Sequence, residues 1–195
     1  LDSLVPIVLY NRYSEKYFTV NMDDKTIGRL PAEVFIRHGK KRPAILKAPA
    51  TFHGMEIRTN VFESLTQDSR MEPPVSVLVN DSMDGGYEGA MRLSSMNPLP
   101  DCLLCTSDNI ALGALKAFHQ KGIRIPEDIE MISVGNGSPE QQAYAIPSLS
   151  VVNLPMEDMA AACLNSVYEK ITNSDSTSGS IEFPIHYIAR ESCPE

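Results

Sequence analysis

With 195 residues, 43% of them hydrophobic, the chain can bury a substantial core, as one large domain or as two small ones. No apolar run approaches the roughly 20 residues that cross a bilayer, and residues 1–11 carry Asp2 and no basic n-region, so no signal-peptide pattern opens the chain. A net charge of −8 argues against this chain gripping DNA by itself, since phosphate contacts need clustered Lys and Arg, and four cysteines without framework spacing suit a reducing, cytoplasmic compartment.

In chain order, residues 6–11 form an apolar run fit for a buried strand, with 13–16 as its polar exit. A helix follows from about Asp24, with Ile27, Leu30, Val34 and Phe35 on one face and Gly39 as its stop. Pro31 inside it predicts a kink or marks its effective start. Residues 44–48 read as a strand, and 55–67 as a helix with Ile57, Val61 and Leu65 on its apolar stripe. A strand over 75–79 and a helix over 84–96 come next. Residues 101–134 are the most informative stretch: a buried strand at 102–105, a capped helix over about 108–121, a glycine stop at Gly122 and a second buried strand at 129–134. That is one β-α-β unit, which predicts a doubly wound α/β fold with parallel sheets. Ligands of such sheets bind at the carboxyl ends of strands where strand order reverses, and here those ends carry Thr106-Ser107-Asp108 and Gly135-Asn136-Gly137. A short strand at 148–152, a helix over 155–172 with Pro155 at its first position, a polar loop at 173–180 and strands at 181–184 and 187–189 complete the chain. The apolar face of the 155–172 helix reads Met156, Met159, Cys163, Val167 and Ile171.

The motif Asp108-x-x-Ala111-x-Gly113-Ala114, followed by Gly122-x-x-Ile125-Pro126-Glu127-Asp128, resembles the effector-binding core of LacI-type bacterial transcription regulators. Six further pieces agree in order and spacing. They are 6–12, Asp23-Asp24, Arg58-x-x-x-Phe62, Gly86-Tyr87 with Ala90-Met91, Pro147-x-Leu149-Ser150, and Ala189-Arg190-Glu191-Ser192. The resemblance spans nearly the whole chain. It implies two periplasmic-binding-protein-like subdomains with a small-molecule effector between them. Residues 24–152 and 181–195 would be a nearly complete C-terminal, effector-binding subdomain, and 1–23 and 153–180 a remnant of the N-terminal one. It further implies opening strands and a helix-turn-helix headpiece ahead of Leu1, the latter contacting operator DNA, and a homodimer formed through the 108–121 helix and segment 139–147.

Arg58 is the first candidate for an effector contact. By resemblance it matches the arginine with which the family anchors its ligand, and a planar guanidinium offers a donor fork to hydroxyls, carboxylates or ring acceptors. Its removal is expected to abolish binding with little effect on stability. Asn11 and Arg12 end the first strand; Asn11 aligns with a polar ligand contact of the family, and strand-end turn chemistry also explains it. Phe52 could stack on a ring or cap the core. Asp81 stands where many members carry a stacking aromatic; an acid there accepts hydrogen bonds from sugar hydroxyls, pairs with a cation, or supplies turn polarity. Ser107 and Asp108 precede an apolar helix, where N-capping accounts for Asp108 and Ser107 could also face the ligand. Gly135-Asn136-Gly137 departs from the family's Gly-aromatic-Asp-Asp ending. The carboxylate that holds ligand hydroxyls is replaced there, with Asn136 as the remaining polar group.

Other motifs carry less. Gly135-x-Gly137-x-x-Glu140 lacks the third glycine of a dinucleotide fingerprint. Cys102-x-x-Cys105 lies within a strand and reads as core. The four histidines show no metal-ligand spacing, so no metal is expected, and no nucleophile elbow or paired-carboxylate set suggests an enzyme or a cofactor. The expected function is the effector-sensing domain of a LacI-type regulator for a sugar or related metabolite; the alternative is a periplasmic sugar-binding protein of the same fold.

Overall fold

A computed structural model describes residues 5–135, 137–172 and 179–195. The chain divides into two compact units, 1–23 with 154–185, and 24–153 with 186–195. In the smaller unit, β1 (Val8–Tyr10), β2 (Phe18–Met22) and β8 (Ser180–Phe183) form a parallel sheet in the order β1-β2-β8, with α6 (Met156–Thr172) packed on β1 and β2. Strand β2 has no counterpart among the sequence expectations. Its buried positions include Thr19 and Asn21, so it shows neither an apolar run nor a clean alternation; Asn21 Nδ2 donates to Thr19 Oγ1 at 3.0 Å. Residues 181–185, expected with the larger unit, belong instead to the smaller one, because β8 pairs with β2 over Ser180–Phe183. Of the apolar face expected on α6, Met159 is buried, but Met156 and Ile171 are exposed.

The larger unit is doubly wound α/β. Six strands run in the order β4 (Val75–Leu78), β3 (Pro43–Lys47), β5 (Cys102–Cys105), β6 (Glu130–Gly135), β7 (Ser150–Asn153) and β9 (His186–Ile188), all parallel except the β7–β9 pair. Its helices are α1 (Asp24–Arg37), α2 (His53–Asp68), α3 (Met83–Leu93), α4 (Asp108–Gln120) and the short α5 (Pro139–Tyr144). Helix α1 runs through Pro31 from Asp24, so the proline does not mark its start; one ladder hydrogen bond is simply missing there. On α2 the expected stripe of Ile57, Val61 and Leu65 is only half-buried. The inward row is offset by one residue, Gly54-Arg58-Phe62-Thr66, at the four-residue spacing of one helix face. Phe62 meets Phe35 of α1 edge to face, with ring centroids 6.3 Å apart.

Helices α3 and α4 are a tightly packed pair, and the shared motif has its physical basis here. A Cβ on Gly113 would lie 1.9 Å from the Met83 carbonyl oxygen, so only glycine lets the two backbones approach. The Ala189-Arg190-Glu191-Ser192 ending is likewise structural. Ser192 Oγ donates to the Met131 carbonyl (2.7 Å), and Arg190 Nη1 to that of Leu149 (2.5 Å), latching the chain end across β6 and β7.

Candidate functional site

Strand order in the larger sheet reverses between β3 and β5: the chain steps outward from β3 to β4, then returns past β3 to β5 and continues to β6 and β7. The reversal therefore lies one strand away from the β5–β6 ends expected from the sequence. A cavity of about 440 Å³ opens at this point. Lys47 and Ala48 at the end of β3, Leu78 of β4, and Leu104 and Thr106 of β5 form its floor; Ile27 and Gly28 of α1 and Met55, Glu56, Arg58, Thr59 and Asn60 of α2 form a wall. Its lining mixes apolar side chains with the polar Lys47, Glu56, Arg58, Thr59, Asn60 and Thr106, and a concavity with convergent polar groups is the usual form of a small-molecule site.

Arg58 is the sequence candidate that lines this cavity. Its position follows from α1–α2 packing. A Cβ on Gly28 would fall 2.1 Å from the Arg58 carbonyl oxygen, so that glycine permits the helices to approach. The side chain is 12% exposed, and its Nε donates to Asp24 Oδ1 at 2.7 Å. Phe52, at the N-cap position of α2, lies against the guanidinium, with the ring centroid 5.5 Å from Cζ. Phe52 thus stacks on the arginine. Asp24 is 2% exposed, and its Oδ2 has no hydrogen-bond partner among the described residues. In the sequence Asp24 reads as a helix start and as part of the Asp23-Asp24 piece of the resemblance, with no partner assigned to it. The four-residue row through Arg58 was the available sign that this arginine points inward and needs a buried counter-ion. Removing Arg58 should therefore destabilise the fold, contrary to the expectation of little effect.

The pocket's second cation is also internally matched: Lys47 Nζ sits 2.7 Å from Glu63 Oε1, which also accepts from Ser76. The wall thus carries donors and acceptors with little net charge.

Ser107 and Asp81 come together at the same sheet edge, the Ser107 hydroxyl donating to Asp81 Oδ1. Ser107, not Asp108, is the N-cap of α4, accepting from the Ile110 amide. Asp108 is buried and organises the loop after β6, accepting from Ser133 Oγ (2.6 Å), the Gly137 amide (2.8 Å) and Gln142 Nε2 (2.8 Å). Its charge adds to burial in pushing the Cys105 thiol well above its usual range. Asn136 lies outside the described residues. Asn11 and Arg12 belong to the smaller unit. Asn11 adopts φ 51, its amide donates to the Val20 carbonyl (2.8 Å), and its own carbonyl accepts from Arg12 Nη1 (2.6 Å), which is strand-end turn chemistry.

Residues 32–193 match the periplasmic binding protein-like domain family. The probable HTH-type transcriptional repressor ExuR of Bacillus subtilis (strain 168) is 25% identical over 192 residues, 96% of this chain and 57% of its own length. The ribose operon repressor of Lactococcus lactis subsp. lactis (strain IL1403) is 23% identical over 191 residues, 97% of this chain and 58% of its own. The chain thus spans just over half the length of these curated relatives. A crystal structure of a LacI family transcription regulator from Clostridium acetobutylicum superposes with a TM-score of 0.90 at 30% identity, covering 95% of this chain and 69% of that one. The chain belongs to the periplasmic binding protein-like domain family and, within it, to the LacI family of transcription regulators.

Proposed function

We propose that this chain is the effector-sensing part of a cytoplasmic LacI-type regulator, and that the cavity beside Arg58 takes a small, neutral, polyhydroxylated metabolite. The observation that carries this reading is the Asp24–Arg58 couple at the cavity wall. Arg58 lines the cavity while Asp24, buried behind it, neutralises its charge, so the wall presents polar groups with little net charge. A hydroxyl both donates and accepts, and so suits a lining that mixes Arg58 with Glu56, Thr59 and Asn60. An anion would have to compete with Asp24 and Glu63 for the two cations that they already neutralise. The ribose operon repressor among the relatives fits this ligand class. In the parent protein, differential affinity of the effector for two arrangements would bias operator binding by a helix-turn-helix headpiece. Exposed Tyr144 and Ile146 support self-association of two copies through α4 and segment 139–147.

The test is thermal denaturation of the chain against a panel of neutral pentoses and hexoses, hexuronates and purines. A ligand at a hundred times its Kd stabilises by about 2.7 kcal/mol, a Tm rise of roughly 5–10 °C at this size. A rise with a neutral sugar, and the same sugar altering operator affinity of the full-length parent, is expected. A rise confined to uronates or purines would sink the neutral-ligand assignment, and a stabilising sugar without effect on the parent's DNA binding would sink the regulatory one.

A further inference from the structure

The edge of the larger sheet opposite the cavity carries a second cluster. His38 follows α1, Glu130 opens β6 at its amino end, and Cys193 lies in the chain end latched beneath that strand. His38 Nδ1 is 2.8 Å from Glu130 Oε2; Cys193 Sγ is 3.4 Å from the same oxygen and 4.0 Å from the His38 nitrogen. The other carboxylate oxygen, Oε1, is occupied by Lys40 Nζ at 2.9 Å, which fixes the carboxylate and leaves Oε2 to face the imidazole and the sulfur. We propose that His38 Nδ1, Glu130 Oε2 and Cys193 Sγ form a binding site for a zinc-class divalent cation, which staples the chain end to β6 and to the end of α1.

The geometry fits the ion. Zinc held tetrahedrally at about 2.3 Å from sulfur and about 2.0–2.2 Å from nitrogen and oxygen sets neighbouring ligand atoms roughly 3.3–3.6 Å apart. The three separations here bracket that range, and closing them around an ion needs shifts of about half an ångström. The donor set is also the right one: thiolate and imidazole favour zinc over magnesium or calcium. One carboxylate and one thiolate neutralise the dication, leaving Lys40 as the sole excess charge. The scaffold is fixed in advance. The Cys193 carbonyl accepts from Tyr187 Oη (2.6 Å) and Ser150 Oγ (3.0 Å), and its amide donates back to Ser150 Oγ (3.0 Å). His38 and Glu130 are partly exposed, which gives an ion a route in, while Cys193 is fully buried. Three protein donors leave one coordination position for water. Sequence spacing could not show this site, because its pairs lie 92 and 63 residues apart.

Cobalt(II) is the probe, titrated into the whole chain under reducing, metal-free conditions and then displaced by zinc. One cobalt per chain is expected, with an intense thiolate-to-cobalt charge-transfer band that one equivalent of zinc abolishes. Cys193→Ser should remove the band, and His38→Gln should weaken zinc at least about 100-fold. His53→Ala, at an exposed His53–Glu56 pair, should change nothing. No band at stoichiometric cobalt, or a band that survives Cys193→Ser, overturns the site. Should Cys193→Ser fail to fold, His38→Gln decides alone: unchanged zinc affinity refutes the proposal.

Discussion

Arg58→Ala would test the physical reading of the pocket wall most directly. Asp24 is 2% exposed and Arg58 12%, and the 2.7 Å contact between them is the counter-charge of a carboxylate that water barely reaches. Removing one partner of such a pair costs about 3–5 kcal/mol, since the remaining charge stays buried and uncompensated. Loss of the Phe52 stacking contact adds roughly 0.5–1 kcal/mol. At about 2–4 °C per kcal/mol for a chain of this size, Tm should fall by roughly 7–24 °C. Urea denaturation followed by far-ultraviolet circular dichroism reads the free energy, with an unchanged slope indicating that only stability has moved. The double variant Arg58→Met/Asp24→Leu removes both charges at similar volume and should recover most of the loss. A destabilisation below about 1 kcal/mol for Arg58→Ala, or a double variant as unstable as the sum of its singles, would refute the idea that the pair is a buried, coupled unit.

Gly28→Ala should cost about 1–3 kcal/mol, because its Cβ would land 2.1 Å from the Arg58 carbonyl oxygen and force α1 from α2; the urea midpoint reads it, and binding of any stabilising sugar should weaken in parallel. Asp108→Asn should cost about 2 kcal/mol or more, since a neutral amide cannot accept all three hydrogen bonds from Ser133, Gly137 and Gln142; faster amide exchange at Gly137 reports it. The Asp128 carboxyl is held down to about 2, chiefly by its side-chain hydrogen bond from Arg124. Its contribution to stability is therefore fully present above its ordinary value near 3.8 and is lost as pH falls through 2. The stability gap between wild type and Asp128→Asn should narrow between pH 4 and 2 and stay flat above it.

The β5-α4-β6 unit was legible because three independent signals coincide there: a continuous apolar run, a Ser-Asp pair fit to cap a helix (though the cap proves to be Ser107 and not Asp108) and a glycine stop. Strand β2 was not, because it buries the polar Thr19 and Asn21, and the Asn21 Nδ2 to Thr19 Oγ1 bond that partly offsets this is not displayed by sequence. Arg58 could be singled out by resemblance, but its partner could not: Asp24 lies 34 residues away and reads locally as an ordinary acidic helix start. The offset of the α2 face has a related cause. Apolarity pointed to Ile57, Val61 and Leu65, whereas the packed row contains a glycine, a threonine and the paired arginine. A helix turns such residues inward only when a neighbouring helix comes close enough to use them, and Gly28 is what allows that.

The Arg190-Glu191-Ser192 ending invites a ligand-binding explanation because it is polar and part of the shared pattern, yet its hydrogen-bond partners among the described residues are backbone groups or serines of the larger unit. The Met131 amide donates to the Ser192 carbonyl at 2.8 Å, and Ser192 Oγ returns a bond to the Met131 carbonyl. The Ser150 amide donates to Ser192 Oγ at 2.8 Å, and Ser150 Oγ accepts from the Arg190 amide while its single proton is shared between the Arg190 and Cys193 carbonyls. Ser150 and Ser192 are both fully buried. Deleting residues 190–195 would leave the polar groups of β6 and β7 without these partners, at about 1–3 kcal/mol for each one that water fails to reach. Loss of at least about 3 kcal/mol is therefore expected even without metal, together with loss of exchange protection at Met131 and Ser150. Ser192→Ala isolates the latch without touching Cys193. It should reproduce part of the stability loss and leave one cobalt bound per chain; an unaltered urea midpoint in Ser192→Ala would mean that the ending is held by something other than this network.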